Sequence, residues 1–71
     1  MSVAMLAKAD NWRPVLDLGG ARFFQHWGDH RAYKRERPRA DGSIEIRYAC
    51  DDVIVSGIVE LASRLKALPA E

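Results

Sequence analysis

The sequence predicts an α+β fold, with a short N-terminal helix, a three-stranded antiparallel β-meander and a long C-terminal helix packed on the sheet, in the order α-β-β-β-α. Three observations carry this. Residues 43–50 alternate strictly, with Ile44, Ile46, Tyr48 and Cys50 on one face and Ser43, Glu45, Arg47 and Ala49 on the other, which is the period of a half-buried strand. Ile54, Ile58, Leu61, Leu65 and Leu68 recur at steps of four and three, which is the stripe of an amphipathic helix. Gly19-Gly20, Gly28-Asp29 and Asp41-Gly42 punctuate the region between the termini at hairpin-like intervals.

The elements follow in chain order. Ser2 to Ala9 is rich in Ala, Met and Leu with Ser2 as a candidate cap, and reads as a helix so short that it must dock to persist. Pro14 opens an extended stretch, and Val15 to Leu18 adds a short extra strand to the meander through a Gly19-Gly20 hairpin. Ala21 to Trp27 reads as a strand, with Phe23, Gln25 and Trp27 on one face and Arg22, Phe24 and His26 on the other; a helix capped by Gly20 is the rival, and periodicity alone does not separate them over so few residues. Arg31 to Arg37 is the next strand, ended by Pro38 or placed by it at a sheet edge. The β-branched and aromatic content of residues 44–50 completes the meander.

The final helix is expected from about Asp52 to Leu68. Asp51 or Asp52 would cap it, Arg64 and Lys66 would sit near its negative end, Glu60 and Arg64 would pair at i,i+4, and Pro69 would stop it. Gly57 falls inside it, as a tolerated weak point of about 1 kcal/mol against Ala or as a close contact. The Ile54-Ile58-Leu61-Leu65 stripe is expected to pack on Ile44, Ile46 and Tyr48. A second stripe, Val55, Val59 and Ala62, lies beside the first, and two stripes exceed what one small sheet covers, so self-association as a homodimer is expected.

Length and composition bound the rest. Seventy-one residues make one domain, 1–71, with a marginal core, since a chain near this size buries only about 60% of its unfolded surface. A lone cysteine allows no internal disulfide and fits a reducing compartment. There is no apolar run near the ~20 residues of a membrane span, and the N-terminus lacks the basic start and apolar core of a signal peptide. A cytoplasmic protein with no membrane partner is expected.

The candidate chemistries differ in weight. His26, His30, Asp29 and Cys50 include ligand types for zinc, but with one cysteine and both histidines flanking a turn they read as hairpin and core residues, so no metal is expected. Cys50 with a histidine and an aspartate could make a nucleophile, yet Cys50 falls on the apolar face, where a thiol packs as a small hydrophobe. Gly19-Gly20 lacks the further glycines and Lys-Ser/Thr of a phosphate loop. No catalytic residue and no cofactor is expected.

The remaining feature is charge. The net charge is +1, but Arg31, Lys34, Arg35, Arg37 and Arg39 face only Glu36 within residues 31–39, a local excess of +4, whereas residues 41–71 carry −3. Tyr33 interleaves with the cations, and Arg22 and Arg47 are candidate neighbours alongside the ribbon. Arg31, Tyr33, Lys34, Arg35, Arg37 and Arg39 are therefore the expected contact residues, on a solvent-exposed ribbon or on an edge strand whose charges prevent aggregation. Arginine pairs bidentately with carboxylate and with phosphate alike, so the ribbon suits a protein partner first and nucleic acid as the alternative. In element order alone the chain resembles the double-stranded-RNA-binding domain, and sheet-reading DNA-binding domains more loosely. The former family carries a basic cluster at the start of its last helix, where this chain has Asp51-Asp52, which would repel phosphate. The resulting expectation is a small non-enzymatic module that binds a larger macromolecule, as a regulator or inhibitor encoded by a bacterium or mobile element.

Overall fold

The computed structural model describes residues 1–68. Helix α1 (Val3–Ala7) is followed by a single 3₁₀ turn (Ala9–Asn11), then by strands β1 (Trp12–Leu18), β2 (Ala21–His26), β3 (Asp29–Pro38), β4 (Ile44–Cys50) and β5 (Val53–Val55), and by helix α2 (Ile58–Ala67). The strands form one antiparallel sheet in sequence order, β1-β2-β3-β4-β5. The expected three-stranded meander is corrected to five strands, while the α+β class holds.

Two local choices make the difference. At the N-terminal side, the extended stretch begins at Trp12 rather than Val15. It runs through Pro14 because β1 is an edge strand, where a missing N–H is tolerated. The register shifts between Pro14 and Leu16, leaving Val15 as a bulge. At the C-terminal side, Val53-Ile54-Val55 continues the apolar spacing of the helix but is β-branched throughout and pairs with Tyr48-Ala49-Cys50. Asp51 does not cap a helix; it adopts φ 53° in the two-residue turn between β4 and β5. The helix starts only after Ser56, with Gly57 as its N-cap residue. Residues 21–26 are strand, not helix.

The short helix α1 is held by capture of its last carbonyls, which a five-residue helix cannot satisfy itself. The Trp12 indole N–H donates to Leu6 O at 2.7 Å, and Asn11 Nδ2 donates to Met5 O at 3.0 Å. The Gly28 amide donates to His26 Nδ1 at 3.0 Å, which leaves Nε2 to face the same Met5 oxygen at 3.3 Å. Ser2 caps α1, its hydroxyl accepting from the Met5 amide.

Both helices lie on the same face of the sheet. That face carries Trp12, Phe24, Ala32, Lys34, Tyr48, Cys50 and Val55, and the core closes with Leu6, Leu61 and Leu65. Ile58, Ala62 and Leu68 pack at its margin. The helix thus packs on Tyr48 as expected, and on Cys50 beside it, but Ile44 and Ile46 remain about half exposed, at 54% and 47%, and Ile54 belongs to β5 and to the opposite face. The reason is length. A ten-residue helix spans about 15 Å, while a ten-residue strand such as β3 spans about 33 Å, so the sheet runs on past its cover. The second expected stripe is broken up as well: Val55 is buried in β5, Val59 is 69% exposed and Ala62 is half-buried.

Candidate functional site: the uncovered face of the sheet

Among the described residues, no layer lies over the face of the sheet away from the helices. The register arranges its side chains in rows across the strands. One row is Arg13, Gln25, Tyr33, Ala49 and Ile54; the next is Leu16, Phe23, Arg35 and Arg47; Arg37 and Glu45 lie beyond, with Arg39 reaching in from the turn after β3. Arg13, Arg35, Arg37, Arg39 and Arg47 therefore gather on this face around Glu45, while Arg31, farther along β3, pairs with Asp29.

Arg35 and Arg47 are direct cross-strand neighbours. Like charges in that position disfavour the sheet, and Glu45 offsets them: it takes Arg35 at 3.0 Å, Arg39 at 3.5 Å and Arg47 at 3.5 Å. Desolvation opposes the charge on Glu45, but Arg47, Arg35 and Arg39 outweigh it and hold the carboxyl below its usual range. One carboxylate cannot neutralise three guanidinium groups. Arg37, although directly opposite Glu45, makes no ion pair among the described residues, and the Arg35 Nε is buried with no hydrogen-bond partner.

Between these cations lies an apolar depression of about 140 Å³, lined by Phe23, Tyr33, Ala49 and Ile54 together with the stems of Arg35 and Arg47. Phe23 and Tyr33 are half-buried, and the Tyr33 hydroxyl accepts from Gln25 Nε2 at 3.4 Å. Gln25 in turn accepts from Arg13 at 3.1 Å.

Of the six expected contact residues, the structure brings Tyr33, Arg35, Arg37 and Arg39 together on this face. Lys34 points the other way. It is 8% exposed, its ammonium lies 5.1 Å from the Trp12 ring centre and 4.7 Å from that of Phe24, and it pairs with Glu36 at 3.2 Å. Arg31 is clamped by Asp29, with Nε at 3.0 Å and Nη2 at 2.9 Å from its two carboxylate oxygens. That bond, against an opposing desolvation, holds the Asp29 carboxyl below its usual range. Nor is the basic segment an edge: β3 is the central strand. Arg13, Phe23, Arg47 and Ile54 join the face from other strands; the alternation of residues 43–50 already placed Arg47 opposite the core, but nothing local in the sequence sets β1 and β5 beside it.

The residues weighed for metal or nucleophilic chemistry are dispersed. His26 is buried among Trp12, Trp27 and α1, His30 is exposed, and Cys50 lies under α2 with burial pushing its thiol up. No helix among the described residues is long and apolar enough to cross a membrane. Comparisons with models of known families, with curated proteins and with solved structures find no match.

Proposed function

We propose that this chain is a non-enzymatic binding module that docks an acidic protein surface on the uncovered face of its sheet. The observation that carries the reading is the Arg35–Arg47 cross-strand pair, set among Arg13, Arg37 and Arg39 and answered, among the described residues, by Glu45 alone. A sheet that keeps like charges side by side gives up stability that an anionic partner would restore. Protein is favoured over nucleic acid by the apolar content of the face. Leu16 and Ile54 are 53% and 69% exposed beside Phe23 and Tyr33, and aromatic residues with arginine are what the desolvated centre of a protein interface uses. The whole molecule is near neutral, whereas dedicated nucleic-acid binders are clearly basic. The half-buried Phe23 and Tyr33 beside arginines also suit stacked bases, which gives nucleic acid as the second reading.

The test is binding of polyglutamate and of oligothymidine to the wild type and to the variant carrying Arg37→Ser, Arg39→Ser and Arg47→Ser. These side chains are exposed, so the fold should persist. The reading expects polyglutamate affinity to fall at least tenfold in the variant, and oligothymidine to bind weakly to both proteins. Unchanged polyglutamate affinity overturns it. Tight oligothymidine binding, with a log–log salt slope that flattens by about one per lost phosphate contact, establishes the second reading instead.

A further inference from the structure

β5 pairs with only three residues of β4, Tyr48 to Cys50, and the chain then leaves the sheet for α2. The preceding part of β4, Ile44 to Arg47, has β3 on one side and, among the described residues, no paired strand on the other. The hydrogen-bond phase of the ladder tells which residues face that gap. Arg39 N–H donates to Ser43 O at 2.7 Å and Asp51 N–H donates to Arg31 O at 2.7 Å, and the β3–β4 register runs between them without a bulge. In an antiparallel ladder the bonded pairs alternate, so Ser43, Glu45, Arg47 and Ala49 exchange bonds with β3. Pro38, which has no N–H to give, sits opposite Ile44, in agreement with that phase. Ile44, Ile46, Tyr48 and Cys50 direct their N–H and C=O groups the other way. β5 meets Tyr48 and Cys50; the backbone groups of Ile44 and Ile46 meet no partner among the described residues.

Alongside runs a groove of about 290 Å³, lined by Arg39, Glu45, Ile46, Arg47, Val55 and Gly57. Its two walls differ. On the uncovered face stand Arg39 and Arg47, each with more than half its side chain exposed, against Glu45. On the helix-bearing face stands Ile46, half exposed beyond the end of α2, with Ile44, also half exposed, two residues before it on β4.

From this we infer that the partner adds an extended segment to the free half of β4, and that the segment alternates acidic and apolar residues. This rests on the protein-docking reading above and specifies its partner. Backbone bonds to Ile44 and Ile46 hold the segment as a further strand, which is the β-augmentation mode of peptide recognition. Because side chains on a strand alternate, one set of the segment's residues meets Arg39 and Arg47 and the other extends the apolar row of Ile44 and Ile46. Charge complementarity selects carboxylates for the first set, and the uncovered isoleucines select aliphatic side chains for the second. An edge that presents unpaired donors and acceptors beside exposed aliphatics is a standing template for such addition.

The test uses an eight-residue peptide alternating glutamate and valine, and a control of the same composition with its glutamates contiguous. Ile46→Pro removes the outward N–H while leaving the β3 ladder intact, and Ile46→Thr keeps that N–H but changes the side chain. The alternating peptide should bind wild type and Ile46→Thr at least tenfold more tightly than Ile46→Pro, and tenfold more tightly than the control peptide binds wild type. Amide exchange on wild type gives a second readout that needs no variant to fold: Ile44 and Ile46 should slow at least tenfold on binding, while Glu45 and Arg47 change little. Equal binding by Ile46→Pro and Ile46→Thr overturns the inference, as does protection that appears only around Phe23 and Arg37; the docking reading survives if that binding is still lost in the Arg37, Arg39, Arg47 variant. A dimer of the unliganded protein that Ile46→Pro makes monomeric shows the edge occupied by a second copy and overturns it too. Displacement of the peptide's backbone protection by oligothymidine does the same in favour of nucleic acid.

Discussion

Lys34 shows how one residue's environment departs from its charge. Its ammonium faces Trp12 and Phe24 and pairs with Glu36, and its stem fills the space beneath them. A partly desolvated cation–π contact adds about 1–2 kcal/mol, and the stem packs like an aliphatic chain. Lys34→Ala should therefore destabilise the protein by about 2–3 kcal/mol in urea unfolding, whereas Arg37→Ala, which breaks no ion pair, should change stability by less than about 0.5 kcal/mol. In sequence the two residues look equivalent. Period-two alternation separates Lys34 from Arg35 and Arg37, but it does not say which set is inside, since both faces of residues 31–37 are charged.

The Asp29–Arg31 clamp makes a pH statement at the same scale. The side-chain bond from Arg31 depresses the folded-state value of Asp29 below its ordinary one. A depressed carboxylate contributes stability that is fully present above the unfolded value, about 3.9, and lost as pH falls through the folded value. Stability should thus decline as the pH drops below about 4, and Asp29→Asn should lower stability at pH 7 while flattening that acid limb. Urea midpoints collected from pH 7 down to pH 2 check both; parallel acid limbs in the two proteins would show that Asp29 is not responsible.

At the scale of elements, α2 carries the core on two residues. Leu61 is 0% exposed and Leu65 5%, and Leu61→Ala should destabilise the domain by roughly 2–5 kcal/mol, enough to unfold much of a protein this small at ambient temperature. A thermal melt within a degree or two of wild type would contradict the packing. This helix also marks where sequence reading stopped short. Leu61 and Leu65 were legible from their spacing, but Ile54 and Val55 match that spacing too, because an apolar triplet satisfies helical and strand periods alike. The discriminating signs were chemical: three β-branched residues in a row, then Ser56-Gly57. Strand β4 was legible end to end, since eight alternating residues leave no second period to fit, and the Gly-Gly hairpin fixed the β1–β2 turn. The start of β1 at Trp12 depended on a tertiary event, the Trp12 indole binding the α1 carbonyl, which no local pattern encodes.

For the whole molecule, the governing fact is that the sheet is longer than its helical cover. The end bearing Trp12, Ala32, Cys50 and Val55 is closed; the end bearing Leu18, Pro38, Ile44 and Ile46 is open on both faces. The same asymmetry divides charge, since the helix-bearing face pairs Lys34 with Glu36 and Arg22 with Asp17 while the bare face gathers unbalanced arginine. The sequence made the charge excess of residues 31–39 visible but assigned it to one ribbon. Folding splits it, sending Lys34 inward, setting Arg47 of the neighbouring β4 beside Arg35, turning Arg22 to the helix-bearing face and bringing in Arg13 from β1 at the far edge.

Cys50 lies in the closed end, buried at 6% exposure under α2, and it is the chain's lone thiol. Burial and the neighbouring Asp51 keep it protonated, so in the closed state it is a poor nucleophile as well as a hidden one. Reaction with any alkylating or oxidising agent must then wait for α2 to lift away. Where modification outpaces reclosing its rate counts those openings, and where reclosing is faster it reports the open fraction multiplied by the reagent's own rate, so the lone thiol is a built-in gauge of how often the packed half comes apart.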